Sequence, residues 1–267
     1  MRLVLTNDDG IEGPGLHALA RSCSELGHEL LVVAPSEDMS GTAAAIGRLR
    51  PDQRIETRRA EIPNQSEIAA HAISGPPGLA AMAACLGAFG EPPEAIVSGI
   101  NAGPNTGHAV LHSGTVGAAL TAATFGVSAL AVSVDVSEPM CWRTAHPYVE
   151  AGLDLLSESP RGTVLNVNVP AVPPGKVRGL RWAKLDRFGL VRVAVAGAGD
   201  RWLQMEYRES GAQLDPDSDT ALLLEGYATI TALEGIAEIP PDELEDAGID
   251  REAIAGVLTE VPERPLG

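Results

Sequence analysis

The chain has 267 residues, 45% of them hydrophobic and only 3% aromatic, with 36 acidic against 19 basic side chains and a formal net charge of −17. Its length suits one large α/β domain, or a domain plus a substantial extension, and a field this acidic disfavours wrapping of a polynucleotide backbone. No apolar run reaches the roughly 18 residues of a membrane span, and three scattered cysteines, Cys23, Cys85 and Cys141, supply neither a disulfide framework nor a zinc cluster. No secretory leader precedes Leu3. The expectation is a cytoplasmic protein with reduced, buried thiols and a core of Ala, Val, Leu and Ile.

In chain order, residues 3–6 predict the first strand. A helix follows Pro14, with Leu16, Leu19, Ala20 and Cys23 on one face and Gly27 as its stop. Residues 29–34 predict the second strand, 54–61 an edge strand or hairpin arm, and 71–74 a short strand. The Ala-rich run 79–89 predicts a helix. Then come a buried strand at 95–98, a helix at 117–125, a strand at 128–134, a helix at 148–156, and a strand at 164–169 closed by Pro170. Strands apolar throughout are buried on both faces, as parallel strands are. The fold class predicted is therefore α/β: a Rossmann-like, mainly parallel sheet with helices on both faces.

After Pro173-Pro174-Gly175 the texture changes to charged, turn-rich links between strand-like pieces at 190–195 and 228–232. The expected division is a Rossmann-like catalytic core over 1–175 and a C-terminal extension over 176–267. The extension would carry β-hairpins flanking or extending the sheet, an oligomerisation segment, and an acidic tail with a short helix from about 240.

The chemistry lies in the segments behind the strands. The first strand runs into Asn7-Asp8-Asp9-Gly10, at the sheet edge where ligands of doubly wound folds gather. Adjacent carboxylates ionise together most readily with a cation or a ring of donors between them, although Asp and Gly equally suit a turn or helix cap. Behind the second strand, Ser40-Gly41-Thr42 offers hydroxyls and a glycine where N–H groups can approach an anion, or simply a turn. The stretch from Gly99 through Asn101, Gly103 and Asn105 to Gly107 is costly to order. Its asparagines supply neutral oxygens for a hard cation, or amide donors for a phosphoryl group. Ser113-Gly114-Thr115-Val116-Gly117 opens a helix whose unpaired N–H groups suit an anion and whose Ser113 or Thr115 suits an N-cap. All-oxygen ligands select Mg²⁺, Mn²⁺ or Ca²⁺, and such an ion beside a phosphate pocket points to metal-assisted phosphoryl transfer. His108 and His112 flank this loop, either as leaving-group acids or as solvent-facing side chains.

Together, Thr6-Asn7-Asp8-Asp9-Gly10, Ala34-Pro35 with Ser40-Gly41, Ser98-Gly99-Ile100-Asn101 with Gly103, Asn105 and Gly107, and Ser113-Gly114-Thr115-Val116-Gly117-Ala118-Ala119 resemble the motifs of the SurE family, the stationary-phase-survival nucleotidases. Asn166-Val167-Asn168-Val169-Pro170 and the stretch from Ser218-Asp219 to Ile230-Thr231 also fit, so the resemblance spans residues 1–233. It implies a SurE-like fold and a divalent-metal-dependent phosphatase that hydrolyses nucleoside 5′- or 3′-monophosphates by a metal-activated water. The implied metal ligands are Asp8, Asp9, Ser40 and Asn101, holding one ion per subunit. The implied phosphate contacts are Gly41, Thr42, Asn105, Ser113, Gly114 and Thr115, and the catalytic residues Asp8, Asp9 and Asn105. A homodimer or homotetramer held partly by exchanged C-terminal segments is implied as well.

The residues leave other readings open. One is an aspartyl-phosphate route, in which Asp8 or Asp9 attacks phosphorus; the Asp-x-Asp spacing and downstream Lys usual for it do not stand out. The others are a phosphatase for a different phosphomonoester or short polyphosphate, and a non-catalytic nucleotide-binding module. Departures from the family pattern at Pro76-Pro77-Gly78-Leu79, at His108, Ala109 and His112, and at Thr121 touch substrate and oligomer contacts, not the metal ligands.

Overall fold

The computed structural model describes residues 1–187, 191–209, 211 and 213–237. The compact unit is Met1–Gly235. Its first half alternates strand and helix: β1 (Arg2–Thr6), α1 (Pro14–Glu25), β2 (Glu29–Pro35), β3 (Thr57–Ala60), β4 (Ala69–Ile73), α2 (Pro77–Cys85), β5 (Ala95–Ala102), α3 (Gly114–Thr124), β6 (Ser128–Val134), α4 (His146–Glu158) and β7 (Val164–Val169). Then follow β8 (Leu180–Trp182), β9 (Val191–Gly199), β10 (Trp202–Glu209), α5 (Asp219–Leu224) and β11 (Ala228–Leu233).

One nine-stranded sheet runs β3-β4-β2-β1-β5-β6-β7-β11-β8, parallel except where β3 meets β4 and where β11 meets β7. The predicted mainly parallel α/β sheet is what forms. Leu3 and Leu5 of β1 point into the layer packed by Leu16 and Leu19 of α1 and Leu153 of α4; Val4 points into the opposite layer with Leu79 of α2 and Val116 of α3. Each fully buried Leu or Val contributes about 1.5–3 kcal/mol, and with so few aromatics the core relies on many such side chains. The Ala-rich faces of α2 and α3 let these helices lie close together on the sheet. At the rim, β3 carries exposed Arg58 and Arg59, charges that discourage further strand pairing.

The segment set apart in the sequence as an extension adds β8 and β11 to the main sheet, and β9 and β10 form a separate antiparallel hairpin. The stretch 99–102, taken as loop, is strand. β5 continues to Ala102 across a register break between Ser98 and Asn101, and Gly99 has no side chain to block the Val132 carbonyl beside it. Helix α2 stops at Cys85 rather than 89, where Gly87 (φ 77°) reverses the chain. α3 begins at Gly114 rather than 117, because Ser113 caps it by accepting the Val116 N–H at 3.1 Å.

Cys23 is buried and its thiol is pushed up to about 12 by burial, whereas Cys85 and Cys141 are half-buried. No helix among the described residues is long and apolar enough to cross a membrane. The short helix and acidic tail expected beyond about residue 240 lie outside the described residues.

Candidate active site

Asn7 leaves β1 buried, and its Nδ2 donates to the Gly10 carbonyl at 3.0 Å, which closes the turn carrying the two acids. Gly10 is left-handed (φ 90°), and a Cβ there would stand 2.9 Å from the Glu37 carbonyl carbon. Only glycine lets the loop behind β2 come this near. Two backbone bonds stitch the loops together: Ile11 N–H to Pro35 O at 2.8 Å and Met39 N–H to Asp8 O at 2.7 Å. Farther along, residues 43–45 cross α2 and α3 at Gly78 and Gly117; a Cβ on Gly78 would stand 2.7 Å from the Ala45 carbonyl oxygen.

Asp8 is buried against the start of α3. It accepts a short hydrogen bond from the Thr115 hydroxyl, and a Cβ on Gly114 would stand 2.7 Å from the Asp8 Cβ. A carboxylate favours this position, where the helix dipole is positive and first-turn N–H groups have no intrahelical acceptor. Asp9 is less enclosed. Burial, with Asp8 and then Asp38 as like charges, pushes its carboxyl up to about 6. Asp38 goes the other way: it accepts the Ser40 hydroxyl at 2.6 Å and the Ser40 N–H at 2.8 Å, which hold it below the usual carboxylate range. Among the described residues no ion pair joins Asp8, Asp9 or Asp38 to a cationic side chain.

Asn101 lies near the end of β5, the strand beside β1. Its Nδ2 donates to the Gly103 carbonyl at 2.7 Å, so Oδ1 is the amide atom left with lone pairs to offer. Asn105 is fixed by its backbone. Its N–H donates to Asn168 Oδ1 at 2.7 Å, and its carbonyl accepts from Asn166 Nδ2 at 2.8 Å and Asn168 Nδ2 at 3.0 Å. Its side-chain Nδ2 donates to the Ser133 hydroxyl at 2.8 Å, which leaves a second amide proton and the oxygen of that group.

The expected phosphate contacts divide. Ser113 Oγ accepts its capping bond and keeps its own proton to donate, whereas the Thr115 hydroxyl donates to Asp8, so this stretch offers the Ser113 hydroxyl and its backbone N–H groups. The Thr42 hydroxyl donates to the Met39 carbonyl at 2.8 Å and closes a turn, next to a left-handed Gly41 (φ 80°). His108 and His112 are exposed on the short helical turn Gly107–His112.

Sequence reasoning gave no site role to Asp38 or Ser133, and met Asn166, Asn168 and Asp219 only as pieces of the family motifs. The signal for the asparagines was present: polar residues at alternate positions of an otherwise apolar, doubly buried strand face one side together. Only the family resemblance marked Asp219, whose partners Gly107 and Asp186 lie far from it in the chain.

An oxygen-only set of two carboxylates, a hydroxyl and an amide fits a hard divalent cation. The burial that lifts Asp9, with the like charges of Asp8 and Asp38 adding to it, and the buried Asn7 Oδ1 without a hydrogen-bond partner, fit it as well. Among the described residues no cluster of three or more His, Cys, Asp or Glu could hold a metal ion, so a cation here would depend on the neutral oxygens of Ser40 and Asn101 beside the two acids.

The family model described as survival protein SurE matches residues 3–189. The 5′-nucleotidase SurE of Synechococcus sp. (strain JA-3-3Ab) is 34% identical over 242 residues, covering 88% of this chain and 92% of that one. The protein of the same name from Symbiobacterium thermophilum is 35% identical over 237 residues, covering 86% and 90%. The crystal structure of the SurE protein from Aquifex aeolicus superposes with a TM-score of 0.74 over 89% of this chain and 95% of its own, at 24% identity, a likeness of fold. With the family model spanning β1 to β7 and every loop that carries the acids and amides, and with relatives aligned along most of both chains, this chain belongs to the SurE family.

Proposed function

We propose that this chain is a cytoplasmic, divalent-metal-dependent 5′-nucleotidase that releases orthophosphate from nucleoside monophosphates. The observation that carries the reading is the crowding of Asp8 and Asp9 at the head of β1, against the start of α3, with Asp9 pushed up to about 6 and no cation paired to either among the described residues. A site that only had to turn the chain would gain nothing from such repulsion. Relatives named 5′-nucleotidase SurE support the choice of substrate.

Asp8, Asp9, Ser40 and Asn101 would hold the ion. Bound there, Mg²⁺, Mn²⁺ or Ca²⁺ would polarise the phosphoryl group and acidify a water. Thr115 steadies Asp8 by its hydroxyl. The Gly114 and Thr115 N–H groups and the Asn105 amide would meet the phosphoryl oxygens as negative charge builds on them, a role that preorganised donors fill without rearranging. Asp9, less enclosed than Asp8, would accept the proton of the attacking water.

Exposed apolar side chains on the β9–β10 hairpin, Val193, Val195, Trp202, Leu203 and Met205, support assembly as a homodimer or homotetramer. Sedimentation of the full chain tests this. The function is tested by assaying phosphate release from nucleoside 5′- and 3′-monophosphates and other phosphomonoesters with Mg²⁺, Mn²⁺ and Ca²⁺ in turn. Release that EDTA abolishes is expected; a folded sample inert with every ion would end the assignment.

A further inference from the structure

Asp219, at the start of α5, is fully buried and ties together stretches of chain from both ends of the compact unit. Its Oδ2 accepts the Gly107 N–H at 2.8 Å. Its Oδ1 accepts the Asp186 N–H at 3.0 Å, and the N–H and hydroxyl of Thr220 at 2.7 and 3.2 Å. The Asp186 carbonyl in turn accepts the His108 N–H at 3.1 Å, and the Asp219 N–H donates to Lys184 O at 2.8 Å.

A buried carboxylate with no cation beside it is expensive, and among the described residues no ion pair reaches Asp219. Capping α5 does not require it. Ser218 already does so, accepting the Ala221 N–H at 3.2 Å. What Asp219 alone supplies is an acceptor for two amides of distant segments, Gly107 and Asp186. Gly107 is left-handed (φ 60°), stands two residues after Asn105, and begins the turn that ends at Ser113. Whatever fixes Gly107 therefore constrains the stretch that joins the Asn105 amide to the first-turn N–H groups of α3.

We propose that Asp219 is a positioning residue for phosphate: it pins the Asn105-to-Ser113 stretch to the 184–186 segment so that both donor groups meet one phosphoryl group. This rests on the phosphatase reading above. With the pin gone, the competent loop arrangement is only a fraction of the population, and apparent affinity falls by that fraction. The metal ligands hang from β1, β5 and the loop behind β2, and are spared.

The test compares Asp219→Asn with Ser218→Ala in the full chain. Its readouts are KM and kcat for AMP, inhibition by inorganic phosphate, the Mn²⁺ midpoint for activity, and Tm. Asp219→Asn should raise KM and weaken phosphate inhibition about tenfold, with the Mn²⁺ midpoint within about twofold of the unaltered chain because its ligands are untouched. Ser218→Ala should lower Tm and leave KM in place. Unchanged KM and phosphate inhibition in Asp219→Asn would overturn the proposal, and so would an equal KM shift in Ser218→Ala. Where Asp219→Asn fails to fold, hydrogen exchange on the unaltered protein decides. Matching protection of the Gly107 and Asp186 amides supports the pin, and a Gly107 amide exchanging like exposed loop refutes it. An unaltered chain that releases no phosphate would sink the enzymatic reading and leave the exchange result standing.

Discussion

The two sides of the site follow opposite electrostatic plans. Behind β1 and β2, Asp8, Asp9 and Asp38 crowd together with no cation paired to them among the described residues, and Asp9 is pushed up to about 6. Behind β5 and β7, Asn105 is held by neutral amides of Asn166 and Asn168 and by the Ser133 hydroxyl. The acidic side stores repulsion that a divalent ion would relieve. The amide side already satisfies its own backbone and keeps donors in place. Damage to the two sides should thus move activity in the same direction and stability in opposite ones.

Asp8→Asn is the severest way to break the contrast. Loss of a direct ligand should lower metal-dependent phosphate release by more than the roughly 10–100-fold typical of supporting partners, read by steady-state assay at saturating Mn²⁺; near-normal release would dissolve the acidic side as a metal site. Thr115→Val is next. It removes the hydroxyl that orients Asp8 and should weaken Mn²⁺ affinity by about 10–100-fold, seen in a metal titration of activity. On the amide side, Asn168→Ala strands the Asn105 N–H and removes one of two donors to its carbonyl. The expected cost is about 1–3 kcal/mol in urea unfolding, with Mn²⁺ affinity kept.

Asp9→Asn gives the smallest effect on stability and the sharpest distinction. The carboxyl of Asp9 is raised in the folded state above its ordinary value near 3.8, so the native state holds the proton more tightly than the unfolded chain. In metal-free protein its contribution to stability is fully present below about pH 4 and is lost as pH rises through about 6. Removing the charge should stabilise metal-free protein at pH 7 by about 1 kcal/mol, once the shift is discounted for the solvent screening of a partly exposed group. Urea midpoints at pH 4.5 and 7, with and without Mn²⁺, check this. The decline should vanish in Asp9→Asn, and in the unaltered chain when Mn²⁺ is saturating.

Much of this was legible beforehand because it is local. Apolar runs marked β1, β6 and β7, Pro14 and Gly27 bracketed α1, Asp8, Asp9 and Ser40 stood behind β1 and β2, and Asn101 stood near the end of β5. Less visible was what each polar group bonds to. Thr115, set down as a phosphate contact, donates to a carboxylate 107 residues away. The stretch around Asn101, set down as loop, continues β5 because the register break lets it go on pairing with β6. Strands β8 and β10 are short or exposed and lack a buried-strand signature, so only their partners identify them.

The sequence by itself determined the layered α/β architecture and which loops would meet at one sheet edge. Strand periodicity and the positions of Gly, Pro, Asp and Asn depend on near neighbours in the chain. The tertiary structure alone decided that Asp38 faces Asp9, that β7 holds Asn105, and that Asp219 reaches back 112 residues to Gly107. These contacts depend on strand order and register, and hydrogen bonds and Coulomb forces act over a few ångströms of space, whatever the separation along the chain.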